Sequence, residues 1–335
     1  MHLNKCEAII LMIYQKNGIS VSFADGTNFR LDPKTYSPDA INLVSHAHSD
    51  HLPSRCNGKS VVMSGVTQAL LKLRKRATAD ILDHSSVRSL DAGHVIGSHM
   101  FFLEGDHRLL YTGDFCTKEK FFSRGAQPVD TDVLIIESTF GSQEYVFPET
   151  EKITSQILSY VASCFERDES VIVLAYPFGK AQELIHLLEE YVPFVDDKIY
   201  EVNEALRDFG YAFCHQRFDA SKAEETREPF VLVTTGNSRQ HAGTLSSFRG
   251  KTRTIAVSGW AINRGFRYFR GVDQAFALSD HADFQDLINF VDRCNPEIVY
   301  TCHGFANRFA QAIRNFLGID AVPLEKGQHL LCSYV

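Results

Sequence analysis

The chain has 335 residues, 44% hydrophobic and 22% charged; it can bury a sizeable core, and its length suits two domains or one large α/β domain. A net charge of −7 excludes a broadly basic surface, so any polyanionic partner must be drawn by local charge. The apolar run 8–14 is far too short to span a bilayer, no small-residue cleavage site follows it, and the eight cysteines form no C-x-x-C pair, so a cytoplasmic protein without membrane association is expected.

From residue 8 to 52 the sequence predicts β-strands, AIILMIY, ISVSF, TNFRLD and AINLVSH, broken at Asn17-Gly18, Asp25-Gly26 and Asp32-Pro33 and entering a catalytic loop. A helix follows over 65–77, then a hairpin through VIGSHMFFLEGDHRLLYTGD turning at Gly105-Asp106, and a buried strand VLIIEST. After Gly141 the texture becomes an alternation: helix 149–167, strand SVIVLAY, helix GKAQELIHLLEEY, a polar stretch, and strands PFVLVTT and TRTIAVSG. From 272 onward come strand QAFALS, helix DFQDLINFVDRC, strand EIVYTC and a helix stopped by Gly318. Such alternation predicts parallel α/β structure.

The densest chemistry is His46-Ala47-His48-Ser49-Asp50-His51, directly after the apolar strand INLV. In an extended backbone His46 and His48 share one side, while Asp50 and His51 turn to another, so one loop can serve two metals. Three further segments end a strand in a ligand-type residue: His94, Asp114 in YTGD and His303 in YTCHG. Strand-end loops are where scaffolds hold catalytic groups.

The order HAHSDH, GHVIGS, YTGD resembles the metallo-β-lactamase superfamily. IIESTFG with Glu137, LSDHAD with His281 and TCHG with His303 resemble motifs A, B and C of its β-CASP nucleases. AYPFGKAQELI and VTTGNSRQHAGTL resemble segments of the inserted β-CASP domain, with Thr-Gly-Asn where Ser-Gly-Met is usual. The likeness covers residues 8–330. It implies an α/β fold, an αββα sandwich whose N-terminal part (1–145) and C-terminal part (263–335) flank an inserted α/β domain (146–262). The interval between Asp114 and His303 is long enough to hold that domain.

The resemblance further implies that His46, His48 and His94 hold one divalent metal and Asp50, His51 and His303 a second, with Asp114 bridging. Zinc suits this set, with manganese or iron as alternatives. Asp50 would accept a proton from the attacking water, His281 would face the scissile phosphate, Glu137 would fix the His281 ring, and Asp32 would brace the HAHSDH loop. The implied activity is phosphodiester hydrolysis. FRLDP, SGWA and RGVDQAFALSDHADF resemble the compact ligase-associated DNA exonucleases, sometimes labelled mRNA 3′-end processing factors, whereas a histidine at position 303 is associated with RNA-acting members. A DNA exonuclease of repair type is therefore expected, with RNA processing as the alternative, a single-stranded substrate, and a DNA ligase or helicase as partner by resemblance alone.

Substrate contacts are read from local chemistry. Lys180 opens a helix after a strand, where free N–H groups take phosphate; Thr235-Gly236 sits in a similar strand-to-loop position. Asn263 to Arg270 interleaves arginines, including Arg264 and Arg267, with aromatics, as single-strand grooves do. Arg74-Lys75-Arg76 reads as a cationic helix end favoured by the dipole. Small-molecule hydrolases of the superfamily lack segments like ESTFG and SDHAD, and a non-catalytic scaffold would have lost ligands that are all present here.

Overall fold

The structure, a computed structural model, describes residues 10–75, 77–219, 228–235, 251–324 and 328–332. The chain divides into two compact units, Met1–Glu144 with Ala282–Val335, and Tyr145–His281.

In the first unit β1 (Ile10–Gln15), β2 (Ile19–Ser22) and β3 (Asn28–Leu31) form the expected antiparallel meander, and β4 (Ile41–Leu43) adds to β3 in parallel. The turn glycines Gly18 and Gly26 have φ of +106° and +88°, values only glycine adopts without strain. A short parallel pair, β5 (Lys59–Val61) and β6 (Ala79–Ile81), brackets the helix Gly65–Lys75. Next come β7 (Val87–Asp91), β8 (His99–Glu104), β9 (Arg108–Tyr111) and β10 (Val133–Glu137).

The chain then builds the second unit: β11 (Glu169–Leu174), β12 (Phe194–Val195), β13 (Gln216–Arg217), β14 (Val231–Thr234), β15 (Lys251–Val257) and β16 (Gln274–Phe276). They form one parallel sheet in the order β13-β12-β14-β11-β15-β16. Helices Thr150–Glu166 and Lys180–Leu187 bury Ile153, Ile157, Leu184 and Ile185 against the Val171, Val173, Val231 and Val233 face of that sheet.

Returning to the first unit, β17 (Ile298–Cys302) lies parallel beside β10, with β18 (Asp320–Pro323) outside it, while β19 (Gln328–Cys332) pairs antiparallel with β1. The result is two sheets, β19-β1-β2-β3-β4 and β18-β17-β10-β9-β8-β7. The period of two along β8 sorts its residues: Phe101 and Leu103 join Leu11, Val21, Phe29 and Leu31 between the sheets. Met100 and Phe102 face the opposite side, against Leu287, Val291, Phe309 and Ile313 of helices Phe284–Cys294 and Ala306–Leu317. With helix Gly65–Lys75 packed through Leu71 beside Val44 and Val61, this is the expected αββα arrangement.

Two expectations change. Residues 263–281 belong with the second unit and not with the returning segment, because β16 pairs with β15 through Gln274, Ala275 and Phe276. The stretch read as polar contains the helix Asp197–Arg207, which buries Ile199, Val202 and Leu206 and is N-capped by Asp196. No described helix is long and apolar enough to cross a membrane.

Candidate active site

The HAHSDH loop begins where β4 ends, and its shape is set by Asp32, which follows β3 in a left-handed conformation (φ +45°) and is 6% exposed. Asp32 Oδ1 accepts from the Ser45 backbone N–H (2.7 Å); its Oδ2 accepts from Ser45 Oγ (2.6 Å), Tyr111 Oη (2.7 Å) and His51 Nδ1 (2.7 Å). Burial alone would raise this carboxyl, but the His51 ring and these hydrogen bonds outweigh it and hold Asp32 below the usual carboxylate range.

These bonds orient two imidazoles. The single hydroxyl proton of Ser45 goes to Asp32, so its oxygen accepts from His46 Nδ1 at 2.9 Å, leaving the His46 Nε2 lone pair to face the site. His51 is turned likewise, with Nε2 lying 3.4 Å from Asp114 Oδ2. His46 Nε2 and His94 Nε2 approach His48 Nδ1 at 3.0 and 3.2 Å, and lie 3.7 and 3.8 Å from Asp114 Oδ2.

The structure thus gathers His46, His48, His94 and Asp114 into one group, and His51, Asp114 and His303 into a second, Asp114 being common to both. Burial, then the neighbouring His51 and His48, push the His46 ring well below its ordinary range, into the neutral form that ligates metal. Burial also favours a neutral His51, but Asp114 and Asp32 override it and raise that ring, so the carboxylates call for a cation at its Nε2. Convergent imidazole lone pairs around one shared carboxylate fit divalent cations, and the nitrogen-and-oxygen donor set fits zinc.

Other residues hold this loop cluster in place. His303 (φ +58°) sits in a turn fixed by Ser138, whose Oγ donates to the carbonyls of Cys302 and His303 (2.8 and 2.7 Å) and whose carbonyl accepts from Phe305 N–H at 2.7 Å. Lys120 Nζ donates to the His94 carbonyl at 2.8 Å. Arg74, read as a cationic helix end, donates from Nη1 to the Ala47 carbonyl at 3.1 Å, inside the HAHSDH loop. Sequence reasoning missed Tyr111, Ser45, Ser138 and Arg74 in these roles, although Tyr111 opens YTGD, Ser138 follows Glu137 in IIESTFG and Arg74 begins the run Arg74-Lys75-Arg76.

Asp50 has a 75% exposed side chain whose Oδ2 is 3.7 Å from His51 Nε2, and it stands outside both ligand groups. Glu137 ends β10, 1% exposed, where its oxygens accept from the Phe115 and Thr139 N–H groups at 2.9 and 3.3 Å, fixing the strand end beside Asp114. His281 is the last residue of the second unit; the next residue, Ala282, donates its N–H to the Phe115 carbonyl at 2.8 Å.

The expected phosphate contacts are arranged otherwise. Lys180 is 2% exposed, with Nζ 2.6 Å from Asp280 and 2.5 Å from Glu183; burial would lower its pKa, but these carboxylates raise it above the ordinary lysine value. Its charge is held inside the second unit and not offered to a ligand. Thr235 donates both N–H and Oγ–H to Asp196 Oδ2, at 2.6 and 2.8 Å. Gly236 lies outside the described residues. Arg264 is exposed, and Arg267 donates to Tyr268 Oη at 2.9 Å.

Residues 272–323 match the family described as Zn-dependent metallo-hydrolase RNA specificity domain. The chain is 35% identical over 312 residues to a protein named "Probable DNA ligase" from Opitutus terrae, covering 88% of this chain and 29% of that one. It is 33% identical over 346 residues to an "RNase J-like protein" from Methanocaldococcus jannaschii, covering 79% of this chain and 81% of that one. A solved structure of a protein of unknown function from Enterococcus faecalis superposes with a TM-score of 0.65 at 12% identity, over 97% of this chain and 100% of that one, which shows the shared fold. The chain spans less than a third of the ligase relative's length.

Proposed function

Because the chain belongs to the metallo-β-lactamase/β-CASP nuclease family, we propose that it hydrolyses phosphodiester bonds of single-stranded nucleic acid, acting as a DNA exonuclease. The observation that carries the hydrolytic reading is Asp114, shared by two histidine groups that would hold two divalent ions. His46, His48 and His94 would hold one zinc ion, His51 and His303 the other, with Asp50 completing the second set. When bound, such ions supply Lewis acidity, neutralising phosphodiester charge and acidifying water at neutral pH.

The protein's own groups do the rest. Asp50, exposed beside His51, accepts the proton of the attacking water. His281 hydrogen-bonds the scissile phosphate or the leaving oxygen. Glu137, held by the Phe115 and Thr139 amides, is the positioning group for His281 and for the Asp114 loop. Likeness over 88% of this chain to a protein named for DNA ligation supports DNA as substrate and a DNA ligase as partner. RNA is the second reading, favoured by the family description over 272–323, which contains His303, and by the RNase J-like relative. The thiols of Cys56, Cys164, Cys214, Cys294 and Cys302, none in a disulfide, support a reducing, cytoplasmic setting.

The test is cleavage of matched 5′- and 3′-labelled single-stranded DNA and RNA with zinc or manganese, using His48→Ala and Asp50→Ala as controls. Mononucleotide release from DNA, lost in both variants, is expected. Cleavage confined to RNA would establish the second reading, and full activity in either variant would overturn the site.

A further inference from the structure

The second unit carries a cavity of about 520 Å³ that the metal centre does not use. Leu174, Ala256 and Val257 form part of its lining, at the C-terminal ends of the adjacent parallel strands β11 and β15, and Thr235 lies just beyond β14 on the other side of β11. The sheet order places β14, β12 and β13 on one side of β11 and β15 and β16 on the other, so the chain's crossovers diverge there. In open parallel sheets the crevice beyond the strand C-termini at such a divergence is where ligands bind. The volume falls within the roughly 300–1,000 Å³ of small-molecule sites.

The side chains narrow the ligand. Three aromatics line the cavity: Tyr176, 65% exposed, with Trp260 and Phe266. The Trp260 indole stands edge-to-face with Tyr145 (5.6 Å, 83°), which fixes its orientation. The polar lining is sparse: Thr235, whose N–H and Oγ–H go to Asp196, Ser258 and Asn263, with Arg270 as its cation. Asp280 and Glu183 both pair with Lys180, which offsets one of their two charges, and no carboxylate is among the lining residues. Apolar walls with aromatics, hydrogen-bonding groups and one cation match a flat heterocycle with an attached phosphate.

We infer that this cavity seats one unstacked nucleobase against Tyr176, Trp260 and Phe266, with the adjoining phosphate at Arg270. The inference rests on the proposed function only in taking the base as part of a nucleic-acid strand; a free mononucleotide offers the same chemistry. Here the strand is gripped through a base plane and not through sequence, because every base has a stacking face.

Trp260 is the only tryptophan in the chain, so intrinsic fluorescence reports on the cavity itself. The full-length His48→Ala protein is titrated with a single-stranded ten-nucleotide DNA, the same strand with abasic sites throughout, and adenosine 5′-monophosphate, and affinities are measured in parallel by anisotropy of labelled strands. The base-bearing strand is expected to quench saturably, the abasic strand to bind more weakly without quenching, and Tyr176→Ala to weaken the base-bearing strand about 5- to 150-fold. Tyr176 is mostly exposed, so this variant keeps its fold. Mononucleotide affinity equal to that of the strand would assign the cavity to free nucleotides, and weaker affinity to the strand. Equal affinity for base-bearing and abasic strands, or unchanged affinity in Tyr176→Ala, would overturn the inference. Neither readout requires cleavage, so a protein that binds bases here yet cuts neither DNA nor RNA loses the nuclease reading and keeps the cavity.

Discussion

Lys180 Nζ lies 2.6 Å from Asp280 Oδ1, the two side chains being 3% and 11% exposed, so the residue before His281 is tied by a buried ion pair to the first turn of a helix. Glu183 Oε2, at 2.5 Å, gives the ammonium a second carboxylate. A buried ion that loses its partner is left without water or counter-charge. Lys180→Met is therefore expected to cost about 3–5 kcal/mol in urea unfolding. Lys180→Arg, which keeps the charge, should cost less, and equal losses in both would mean that packing rather than charge holds the site. Arg108, half exposed between Asp130 and Asp132, is the contrast: its replacement should hardly move the unfolding midpoint.

Asp32 accepts four hydrogen bonds, from Ser45 twice, Tyr111 and His51. Asp32→Asn keeps the size but turns one acceptor into a donor facing donors, so the His51 ring loses its anchor. Partners of this kind behind metal-ligating histidines contribute roughly 10–100-fold in metal affinity. A drop of that size is expected when zinc retention is titrated against a chelator, with far-ultraviolet circular dichroism unchanged. Undiminished retention would show that His51 is oriented by Asp114 alone.

The HAHSDH loop was legible because four ligand-type side chains fall within six residues, and Asp114 and His303 because each closes an apolar strand. What surrounds them was not. Tyr111 ends the apolar strand RLLY and is fully buried, so it reads as core; only the sheet pairing of β9 brings its hydroxyl to Asp32. Lys180 occupies a helix start, where local chemistry suggests phosphate, and nothing local shows that Asp280 will meet it. The helix Asp197–Arg207 hid because its buried Ile199, Val202 and Leu206 are separated by charged residues. The second unit extends to His281 because β16 pairs with β15, a non-local register that composition does not carry.

Glu169 opens the central strand β11 and is only 3% exposed, between the guanidinium groups of Arg253 (2.8 and 3.1 Å) and Arg167 (3.0 Å). The Arg253 hydrogen bonds, ahead of those from Arg167 and against burial, hold its carboxyl at about 2 instead of the ordinary 4.5. The unfolded chain therefore takes up the proton first, and the stability from this cluster is complete above about pH 4.5 and lost as pH falls towards 2. Glu169→Gln should be less stable at neutral pH, and its urea midpoint should fall less steeply over that interval. Parallel slopes for variant and parent would place the acid response elsewhere.

Gly304 shows how the His303 position is maintained. It has φ +48°, directly after His303 at +58°, and an added Cβ would lie 2.3 Å from the Ser138 carbonyl oxygen and 2.4 Å from Thr139 Cα. Both are backbone atoms at the end of β10, so they cannot swing aside, and the turn carrying His303 must move instead. His303 stacks obliquely on His51 at 5.5 Å and shares with it the group around Asp114. Gly304→Ala is expected to reduce bound zinc from about two equivalents towards one, because the His46, His48 and His94 group does not pass through this turn. Gly318, at φ +69° with nothing within 4 Å of its Cβ position, is the control. Gly318→Ala should carry only the strain of a left-handed alanine, about 1–2 kcal/mol, and keep its metal. Elemental analysis beside thermal unfolding separates the two effects: two equivalents retained in Gly304→Ala would mean that the turn yields without shifting His303.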